Sequence, residues 1–365
     1  MIFLIFLLFG IIIVNLLLTL VLLWCWKFRQ KPAVLSHSKL PKLSVLIAAR
    51  NEEKHIDACL TSLTSLRYPK DKIEVLVGND GSNDQTLSKI RSYTGPNSNI
   101  KAYDIHEQVG EARAKANVLA QLAKKATGEY FLVTDGDVKV LPGWANYMIE
   151  HRGGASLVNG TTIIEGDSLL QRLQNIEWLY AQALIKIITD TGIPVTAMGN
   201  NMLIARLAYK QVGGYESLPS SVTEDHELFI HMRKQGQQVI NLFEKGALVT
   251  TDGQKTFSSL LHQRKRWIKG VIQLPVWLLF ILFMQTLFLP SIILLSVFLP
   301  ELAISFFLTK EIFQGLLIYQ IFQKLDQKVK LVDILWYEFY GAVLWLVSII
   351  FYLLPIKFNW KGRLY

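Results

Sequence analysis

The chain has 365 residues, of which 51% are hydrophobic, and a formal net charge of +9. So apolar a composition is unusual for a water-soluble protein and indicates one globular domain together with membrane helices. Residues 43–254 hold 21 Lys and Arg against 24 Asp and Glu, whereas the rest of the chain holds 17 against 5. The positive excess therefore lies beside apolar segments, where it orients helices and meets anionic lipid, and a nucleic-acid partner is disfavoured.

The chain begins with a candidate membrane anchor. Residues 1–26 carry no charge, are long enough to span a bilayer and lack a small-residue cleavage site. Basic residues follow directly, which predicts by the positive-inside rule that the next domain is cytoplasmic. The two cysteines, Cys25 and Cys59, offer no disulfide framework, as expected in a reducing compartment. A polar linker over residues 27–42 separates the anchor from that domain.

Short apolar runs then alternate with amphipathic stretches. Buried parallel strands are predicted over 43–48, 73–78, 100–105 and 130–134, with a helix over 110–125. This alternation is typical of a doubly wound, Rossmann-like α/β sheet, which we assign to a domain over residues 43–270. Ligands of such sheets bind outside the carboxyl ends of the strands, so the polar turns after these strands are the expected site.

The second half of the domain is less regular. Its predicted elements are a strand over 156–163, a helix over 169–188, a strand and turn over 198–205, and short strands over 239–243 and 247–251.

A C-terminal transmembrane region, residues 271–356, precedes a basic tail, residues 357–365. Three helices are predicted in this region, over 275–297, 299–322 and 332–354. The expected location is therefore the cell membrane, with several crossings. With the N-terminus outside, four crossings would put the tail outside, although its basic residues favour the cytoplasm. One C-terminal segment is thus a candidate for a re-entrant or interfacial helix.

Aspartates follow two of the predicted strands. Asp135 and Asp137 are two residues apart in an extended segment, so their carboxylates point to the same side. Such a pair suits Mg or Mn, which bridge protein carboxylates and a substrate's phosphates. The alternative is an ordinary Asp-Gly turn. Asp80 likewise has two interpretations. Its carboxylate can hydrogen-bond a base or ribose, or it can be part of a turn in which Ser82 or Asp84 caps the next helix.

Acids also crowd the start of an amphipathic helix at Glu224, Asp225 and Glu227. A helix start favours acids, and Ser221 with Glu224 fits a capping box, so these acids can be structural. A cap does not need three of them, however. Asp225 is therefore a candidate general base that takes a proton from an attacking hydroxyl.

A polar face precedes the C-terminal membrane region. Gln263, Arg266 and Trp267 are spaced i, i+3 and i+4, so they share one side of a helix. An amide, a guanidinium and an indole on one face can hold a diphosphate and stack on a sugar. The alternative is a positive-inside flank with an interfacial tryptophan.

Two other polar stretches are weaker candidates. Arg50-Asn51-Glu52 can be a helix start in which Asn51 is the cap, and Lys115 can lie on a solvated helix face. Neither stretch indicates a function by itself.

Six short motifs carry a family resemblance when they are taken together and in order. They are ARNEE at 49–53, NDGSND at 79–84, DGD at 135–137, GNNM at 199–202, TED at 223–225 and QRKRW at 263–267. In this order, and followed by membrane helices, they resemble the membrane-bound inverting glycosyltransferases of family two, which have a GT-A fold and include cellulose-synthase-like enzymes. The resemblance covers roughly residues 43–270 and implies a GT-A catalytic domain with one N-terminal and about three C-terminal transmembrane helices.

The resemblance implies how a nucleotide-sugar donor is bound. Asp80 matches the acid that contacts the nucleotide base, and Glu52 matches the acid near the ribose or base. Asp135 and Asp137 match the DxD pair on the nucleoside diphosphate, with Asp137 as the favoured direct ligand of Mg or Mn. Asn79 departs from the pattern, because a second aspartate is common at that position.

The resemblance also implies the chemistry. Asp225 matches the catalytic base of an inverting displacement, and Gln263, Arg266 and Trp267 match the QxxRW motif that closes over the diphosphate and the acceptor sugar. The stretch around Lys115 lacks the glycine-lysine pair that is often found there.

The expected function is hexosyl transfer from a nucleotide sugar, with a UDP-sugar favoured, to a lipid or glycan acceptor at the membrane surface. Only three helices are predicted after QxxRW, which is few for a polymer channel, so a membrane lipid or lipid-linked acceptor is preferred. One alternative is a processive polysaccharide synthase of the cellulose or hyaluronan type. The other is a non-catalytic, membrane-anchored nucleotide-binding or scaffold protein, in which Asp225 is only a helix cap.

Overall fold

The computed structural model describes residues 2–27, 29, 34, 40–357 and 359–364, and of residues 359, 360 and 364 it describes the backbone. The predicted linker over 27–42 lies mostly outside the described residues. The strands are β1 (Leu43–Ala49), β2 (Ile73–Asn79), β3 (Ile100–Asp104), β4 (Tyr130–Asp135), β5 (Val138–Val140), β6 (Leu157–Asn159), β7 (Thr161–Glu165), β8 (Asn201–Ala205), β9 (Val239–Asn241), β10 (Leu248–Asp252), β11 (Asn359–Trp360) and β12 (Arg363–Leu364).

The helices follow the same chain order. They are α1 (Ile2–Lys27), α2 (Ile56–Thr64), α3 (Thr86–Ser92), α4 (Ala114–Lys125), α5 (Trp144–Glu150), α6 (Leu169–Asp190), α7 (Arg206–Gln211), α8 (Glu224–Lys234), α9 (Phe257–Val271), α10 (Val276–Thr286), α11 (Phe288–Phe298), α12 (Pro300–Lys324) and α13 (Leu331–Leu353).

The chain divides into two compact units, each made of separate stretches. The sheet unit has the outer bounds Lys31–Glu165, Gly192–Asp252 and Asn359–Tyr365. The helical unit has the outer bounds Met1–Gln30, Gly166–Thr191 and Gly253–Phe358. The end of the chain therefore belongs to the sheet unit, although the residues just before it belong to the helical unit.

The sheet unit is built on a seven-stranded sheet in the order β3-β2-β1-β4-β8-β6-β9. β1 pairs in parallel with β2 and with β4, and every residue of β1 is buried. A strand covered on both faces needs a continuous apolar run, which is why the sequence shows no alternation there. A smaller sheet has the order β5-β10-β7. The predicted α/β class is thus confirmed.

The register of the central strands aligns their carboxyl ends. Ala49 of β1 pairs with Asn79 of β2, and Ala48 pairs with Asp135 of β4. The polar turns after these three strands therefore begin at the same edge of the sheet.

One strand that the sequence predicts as continuous is divided in the structure, so this prediction is wrong. The sequence predicts a single strand over 156–163, but the structure has β6 and β7, with Gly160 between them. A Cβ atom at Gly160 would lie 2.4 Å from Nδ2 of Asn201. That amide is fixed because it donates to the carbonyl oxygens of Thr161 and Ala247. The chain changes direction at Gly160 because only glycine leaves room for this side chain.

The helical unit contains three helices that are long and apolar enough to cross a membrane, α1, α12 and α13, among the residues described. The single helix predicted over 275–297 is wrong: α10 and α11 are separate helices bent by 40°. Pro290 lies in the first turn of α11, where it has no N–H to donate to the preceding turn, and this favours the break. The bent pair would add a fourth span only if it crosses as one unit.

Candidate functional site

The site is built on the turns that follow β1, β2 and β4, all within the sheet unit. Its side chains are acids that are mostly withdrawn from solvent: Glu52 is 3% exposed and Asp80 is 7% exposed. Buried carboxylates cost free energy unless they are paired and hydrogen-bonded. Their partners therefore reveal how the site is organised.

Glu52 is held by both its backbone and its side chain. Its N–H donates to Oγ1 of Thr86 at 2.7 Å, and its carboxylate pairs with the Nζ atom of Lys361. Burial raises the pKa of Glu52 to about 7; Lys361 opposes this shift, whereas the nearby Asp137 and Asp135 add to it. Glu52 thus shares one electrostatic environment with the predicted DxD pair, as well as lying on the turn after β1.

Asp80 pairs with a residue that the sequence did not indicate as part of a site. The guanidinium of Arg363 donates to both carboxylate oxygens, with Nη2 to Oδ1 at 2.9 Å and Nη1 to Oδ2 at 2.5 Å. This fork is the bidentate geometry that arginine offers to carboxylates and phosphates. Lys361 and Arg363 both lie in the predicted basic tail, and the sequence motifs assign neither of them to the site.

Lys115, a weak candidate from sequence, joins two of the predicted motifs. Its Nζ atom lies 2.6 Å from Oδ1 of Asp135 and 3.0 Å from Oε1 of Glu224. Burial would lower the pKa of the Lys115 ammonium, but Asp135, Glu224 and Asp225 together raise it, so it stays charged. Burial also raises the pKa of Glu224, and Lys115 opposes that shift. One ammonium therefore ties the DGD turn to the start of α8.

Asp225, the predicted base, is fixed by two backbone donors. Its Oδ2 atom accepts from the N–H of Gly199 at 2.6 Å, and its Oδ1 atom accepts from the N–H of His226 at 2.9 Å. A Cβ atom at Gly199 would lie 3.0 Å from Cβ of Asp225, so a larger residue there would press on the carboxylate. The GNNM and TED motifs thus meet at this carboxylate, which is half-buried.

The capping box considered for this acid cluster does not form, although Glu224, Asp225 and Glu227 do lie in the first turn of α8. α8 begins after Thr223, whose side chain makes no capping hydrogen bond, and Oγ of Ser221 accepts instead from the N–H of Thr223 at 3.1 Å. The capping role considered for Asn51 is also wrong, because α2 begins only at Ile56. Asn51 has a left-handed φ of 51° and accepts from the N–H of Asn83.

In the turn after β2, the neighbouring acid Asp84 lies one residue before Gln85, the N-cap residue of α3. Oδ1 of Asp84 accepts from the N–H of Thr86, the first residue of α3, at 2.9 Å. Asp84 is thus a structural acid, while Asp80 in the same motif points to a different partner.

Asp135 and Asp137 fit a divalent cation in part. Among the described residues, no group of three or more His, Cys, Asp or Glu side chains is arranged to hold a metal ion. Mg and Mn keep several waters and take further oxygens from a bound diphosphate, so two carboxylates suffice for them. The charge at this place already attracts a cation: burial would lower the pKa of Lys361, but Asp137, Glu52 and Asp135 together raise it.

The QRKRW motif lies on α9, in the helical unit. Its middle residues are structural: Arg264 pairs with Glu177 at 2.6 Å, and Nζ of Lys265 donates to the carbonyl oxygens of Phe351 and Leu354. Both of these side chains are buried.

The three predicted site residues of this motif, Gln263, Arg266 and Trp267, are half-buried instead. Trp267 stacks on Trp178, with ring centroids 4.8 Å apart. Trp267 thus takes part in the packing of α9 against α6, and its role in a site stays a prediction.

The helical unit also contains a partly open, mainly apolar cavity of about 320 Å³. It begins at Ile268, the residue after the motif, and extends along α10, α12 and α13. One side is polar, where Nζ of Lys310 contacts Glu338 at 2.5 Å and Gln314 at 2.8 Å. Charges this deep in an apolar helix bundle are costly, so they mark the cavity as a candidate binding place.

Two sequence profiles of known families match the chain. The profile described as Glycosyl transferase family 2 matches residues 44–213. The profile described as Glycosyl transferase family group 2 matches residues 140–358, which is more than half of the chain.

Similar curated proteins are bacterial. A stretch of 242 residues is 28% identical to the probable glycosyltransferase YdaM of Bacillus subtilis (strain 168) and covers 64% of this chain and 56% of that protein. A stretch of 250 residues is 28% identical to the poly-beta-1,6-N-acetyl-D-glucosamine synthase of Staphylococcus aureus (strain COL), covering 67% of this chain and 58% of that one. The chain thus spans little more than half the length of these relatives.

Among solved structures, the chain is similar to the mannosyltransferase PcManGT from Pyrobaculum calidifontis, determined in complex with GDP-Man and Mn2+. The TM-score is 0.62 at 14% sequence identity, and the match covers 96% of this chain and 99% of that one. At this identity the likeness concerns the fold alone, and it confirms the predicted GT-A class.

Proposed function

We propose that this chain, which belongs to glycosyl transferase family group 2, is a glycosyltransferase that transfers a hexose from a UDP-sugar to a membrane lipid or lipid-linked acceptor. The configuration of the sugar is inverted in this reaction. The sheet unit is proposed to lie in the cytoplasm, with the helical unit in the cell membrane.

The observation that carries the proposal is the bridge made by Lys115. Its ammonium contacts both Asp135 and Glu224, so the proposed donor site and the proposed base at Asp225 belong to one cluster. Transfer requires that the acceptor hydroxyl meets the donor's anomeric carbon beside a base. A donor site and a base in one cluster meet this requirement.

The donor would be recognised at the sheet edge. The family resemblance assigns Asp80 to the base and Glu52 to the ribose or base, and both carboxylates follow strands that end at this edge. Asp137, with Asp135, would hold Mg or Mn. A bound cation of this kind offsets the charge that develops on a leaving diphosphate.

The displacement then needs one proton acceptor. The acceptor's hydroxyl oxygen forms a bond to the anomeric carbon, the bond from that carbon to the diphosphate oxygen breaks, and the hydroxyl proton passes to Asp225. The N–H groups of Gly199 and His226 fix the orientation of the Asp225 carboxylate, so little reorganisation is needed. Gln263, Arg266 and Trp267 are proposed to act on the diphosphate and the acceptor sugar.

The apolar cavity supports a lipid acceptor. Its volume of about 320 Å³ suits part of an acyl or isoprenoid chain, and it lies on the helix that carries the QRKRW motif. Gln314 and the Lys310–Glu338 pair would meet a polar group of that lipid.

A second candidate is processive synthesis of a polysaccharide. The observation that favours it is the relative from Staphylococcus aureus, which is named as a poly-beta-1,6-N-acetyl-D-glucosamine synthase. This candidate predicts an extractable polymer and no new glycolipid.

The experiment compares host cells that express the wild type, Asp225→Asn or Glu227→Gln. Membrane lipids are analysed by mass spectrometry, and extracellular polymer is collected in parallel. We expect a hexose-modified lipid with the wild type, and a loss of about 10²–10⁴-fold with Asp225→Asn, the range typical of a removed general base. Glu227→Gln is the matched control, since it removes an acid from the same first turn of α8.

The outcomes separate the candidates. Equal product from Asp225→Asn and wild type would disprove the assigned base. Polymer without new lipid would favour the processive synthase. Nucleotide binding without any sugar transfer in any of the three proteins would favour the scaffold.

A further inference from the structure

The end of the chain folds into a defined element, the C-terminal hairpin, residues 359–364. β11 and β12 pair antiparallel, with Trp360 opposite Arg363. The two residues of the turn, Lys361 and Gly362, have φ values of 49° and 82°. Positive φ at both central residues is the pattern of a type I′ turn, which matches the twist of a tight hairpin. The hairpin thus presents Lys361 in a fixed position.

Hydrogen bonds connect the hairpin with the turn after β1 and, through Arg50, with the turn after β2. The carbonyl oxygen of Lys361 accepts from Nε of Arg50 at 3.0 Å and from Nδ2 of Asn51 at 3.2 Å. Arg50 in turn donates to the carbonyl oxygen of Gly81 at 2.9 Å. One arginine therefore links the hairpin, the turn after β1 and the turn after β2.

The two cations of the hairpin engage the two acids assigned to the nucleoside. Lys361 pairs with Glu52, and Arg363 uses both oxygens of Asp80. Both acids are buried, so these partners satisfy carboxylates that solvent scarcely reaches. A base or ribose could not take the same hydrogen bonds while Arg363 and Lys361 hold them.

The remaining space is too small for a nucleotide. The cavity between Ala49, Asp80, Lys115, Asp135 and Lys361 has a volume of about 10 Å³. That is roughly the space needed by a single water molecule. The hairpin and a nucleoside diphosphate therefore cannot occupy this edge together.

We infer that the C-terminal hairpin is a tethered competitor of the donor: its two cations occupy the donor site and must leave before a divalent cation and a nucleoside diphosphate can bind. Lys361 pairs with Glu52 and lines the same small cavity as Asp135 of the proposed metal pair, while Arg363 covers the acid for the base. This inference rests on the proposed function of the same edge. It adds that the chain controls access to its own donor site.

The first test measures the affinity of the full-length protein for UDP in the presence of Mn²⁺ by calorimetry. The double variant Lys361→Gln, Arg363→Gln keeps the length and turn of the hairpin but removes both charges. We expect it to bind Mn²⁺–UDP about tenfold more tightly than the wild type, since a closed site reduces apparent affinity by the fraction that is open. Lys357→Gln, an exposed basic residue just before the hairpin, is the matched control and should leave the affinity unchanged.

A second measurement uses the wild type and so does not depend on how the variant folds. Amide hydrogen exchange at residues 361–363 should become faster when Mn²⁺ and UDP are added together, because the hairpin is displaced. Slower exchange would overturn the inference, since it would mean that the hairpin closes over the donor. Weaker or unchanged binding by the double variant would overturn it as well.

Failure of the proposed function has a different signature. If neither the wild type nor the double variant binds Mn²⁺–UDP, the donor assignment fails and the hairpin inference fails with it. If the wild type binds and the double variant gains nothing, only the hairpin inference fails.

Discussion

The two units of the molecule treat buried charge differently. In the helical unit, two ion pairs join helices: Arg264 with Glu177 at 2.6 Å, and Arg172 with Asp333 at 2.8 Å. Such pairs satisfy their own members and fix the packing of the helices that carry them.

At the edge of the sheet unit the acids outnumber the partners described for them. Lys361 and Arg363 each engage one carboxylate, and Lys115 engages two. Asp137 adds another half-buried acid next to this cluster. An excess of negative side chains over positive ones destabilises the fold but favours the binding of a cation. The comparison therefore separates charges that hold the structure together from charges that act in binding.

The largest contrast is expected at Asp137. Asp137→Ala should abolish the strengthening of UDP binding by Mn²⁺, because it removes a proposed metal ligand. The loss should be at least the roughly 10–100-fold that is typical for partners of metal ligands. Calorimetry with and without Mn²⁺ measures it. Asp104→Asn is the control, since Asp104 ends the neighbouring β3 and binds Asn79. An unchanged response to Mn²⁺ would remove Asp137 from the metal site.

A smaller effect is expected in the helical unit, on stability and not on the binding of UDP. Asp333→Asn breaks a bidentate pair with Arg172, with distances of 2.8 and 2.9 Å, and should lower the free energy of unfolding by about 2 kcal/mol. Thermal unfolding in detergent measures it, with Glu301→Gln at the exposed start of α12 as the control. The affinity for Mn²⁺–UDP should not change. A loss of UDP binding at unchanged stability would break the proposed division of roles.

The smallest expected effect is a pH dependence. Burial raises the pKa of Glu52 from its ordinary 4.5 to about 7, so between these values the folded protein binds a proton that the unfolded chain does not. Folding is then favoured as the pH falls through 7, and the gain levels off near 4.5. Glu52→Gln has no such proton. Lowering the pH from 8 to 5 should therefore raise the unfolding temperature of the wild type relative to that of Glu52→Gln. A difference that stays constant would contradict the raised pKa of Glu52.

The central sheet could be predicted because its signals are local. The strands over 43–48, 73–78 and 130–134 are continuous apolar runs followed by polar turns, and a strand buried on both faces needs such a run. The break between α10 and α11 was missed because the apolar run continues through it, whereas the cause is a single proline at position 290.

For the site, the sequence motifs predict the acids of the sheet edge but not the basic residues that pair with them. Asp80 and Glu52 follow strands and were identified, but their partners Arg363 and Lys361 are 283 and 309 residues away in the chain. Periodicity and local propensity carry no information on a contact of that separation. The role of Lys115 was similarly hidden, because a lysine on a helix is usually solvated and only the fold brings Glu224 to it.

The C-terminal hairpin also constrains the path of the chain through the membrane by parity. Arg363 contacts Asp80, so residues 80 and 363 are on the same side of the bilayer. If the helical unit lies in the membrane, as proposed, the chain would then cross the bilayer an even number of times between β10 and β11. If α12 and α13 each cross once, the bent pair α10–α11 enters and leaves on one side, as a re-entrant or interfacial segment. If the sheet unit is cytoplasmic, as proposed, the basic tail would then lie on the side that its charges favour, and this arrangement would remove the topological conflict in the sequence.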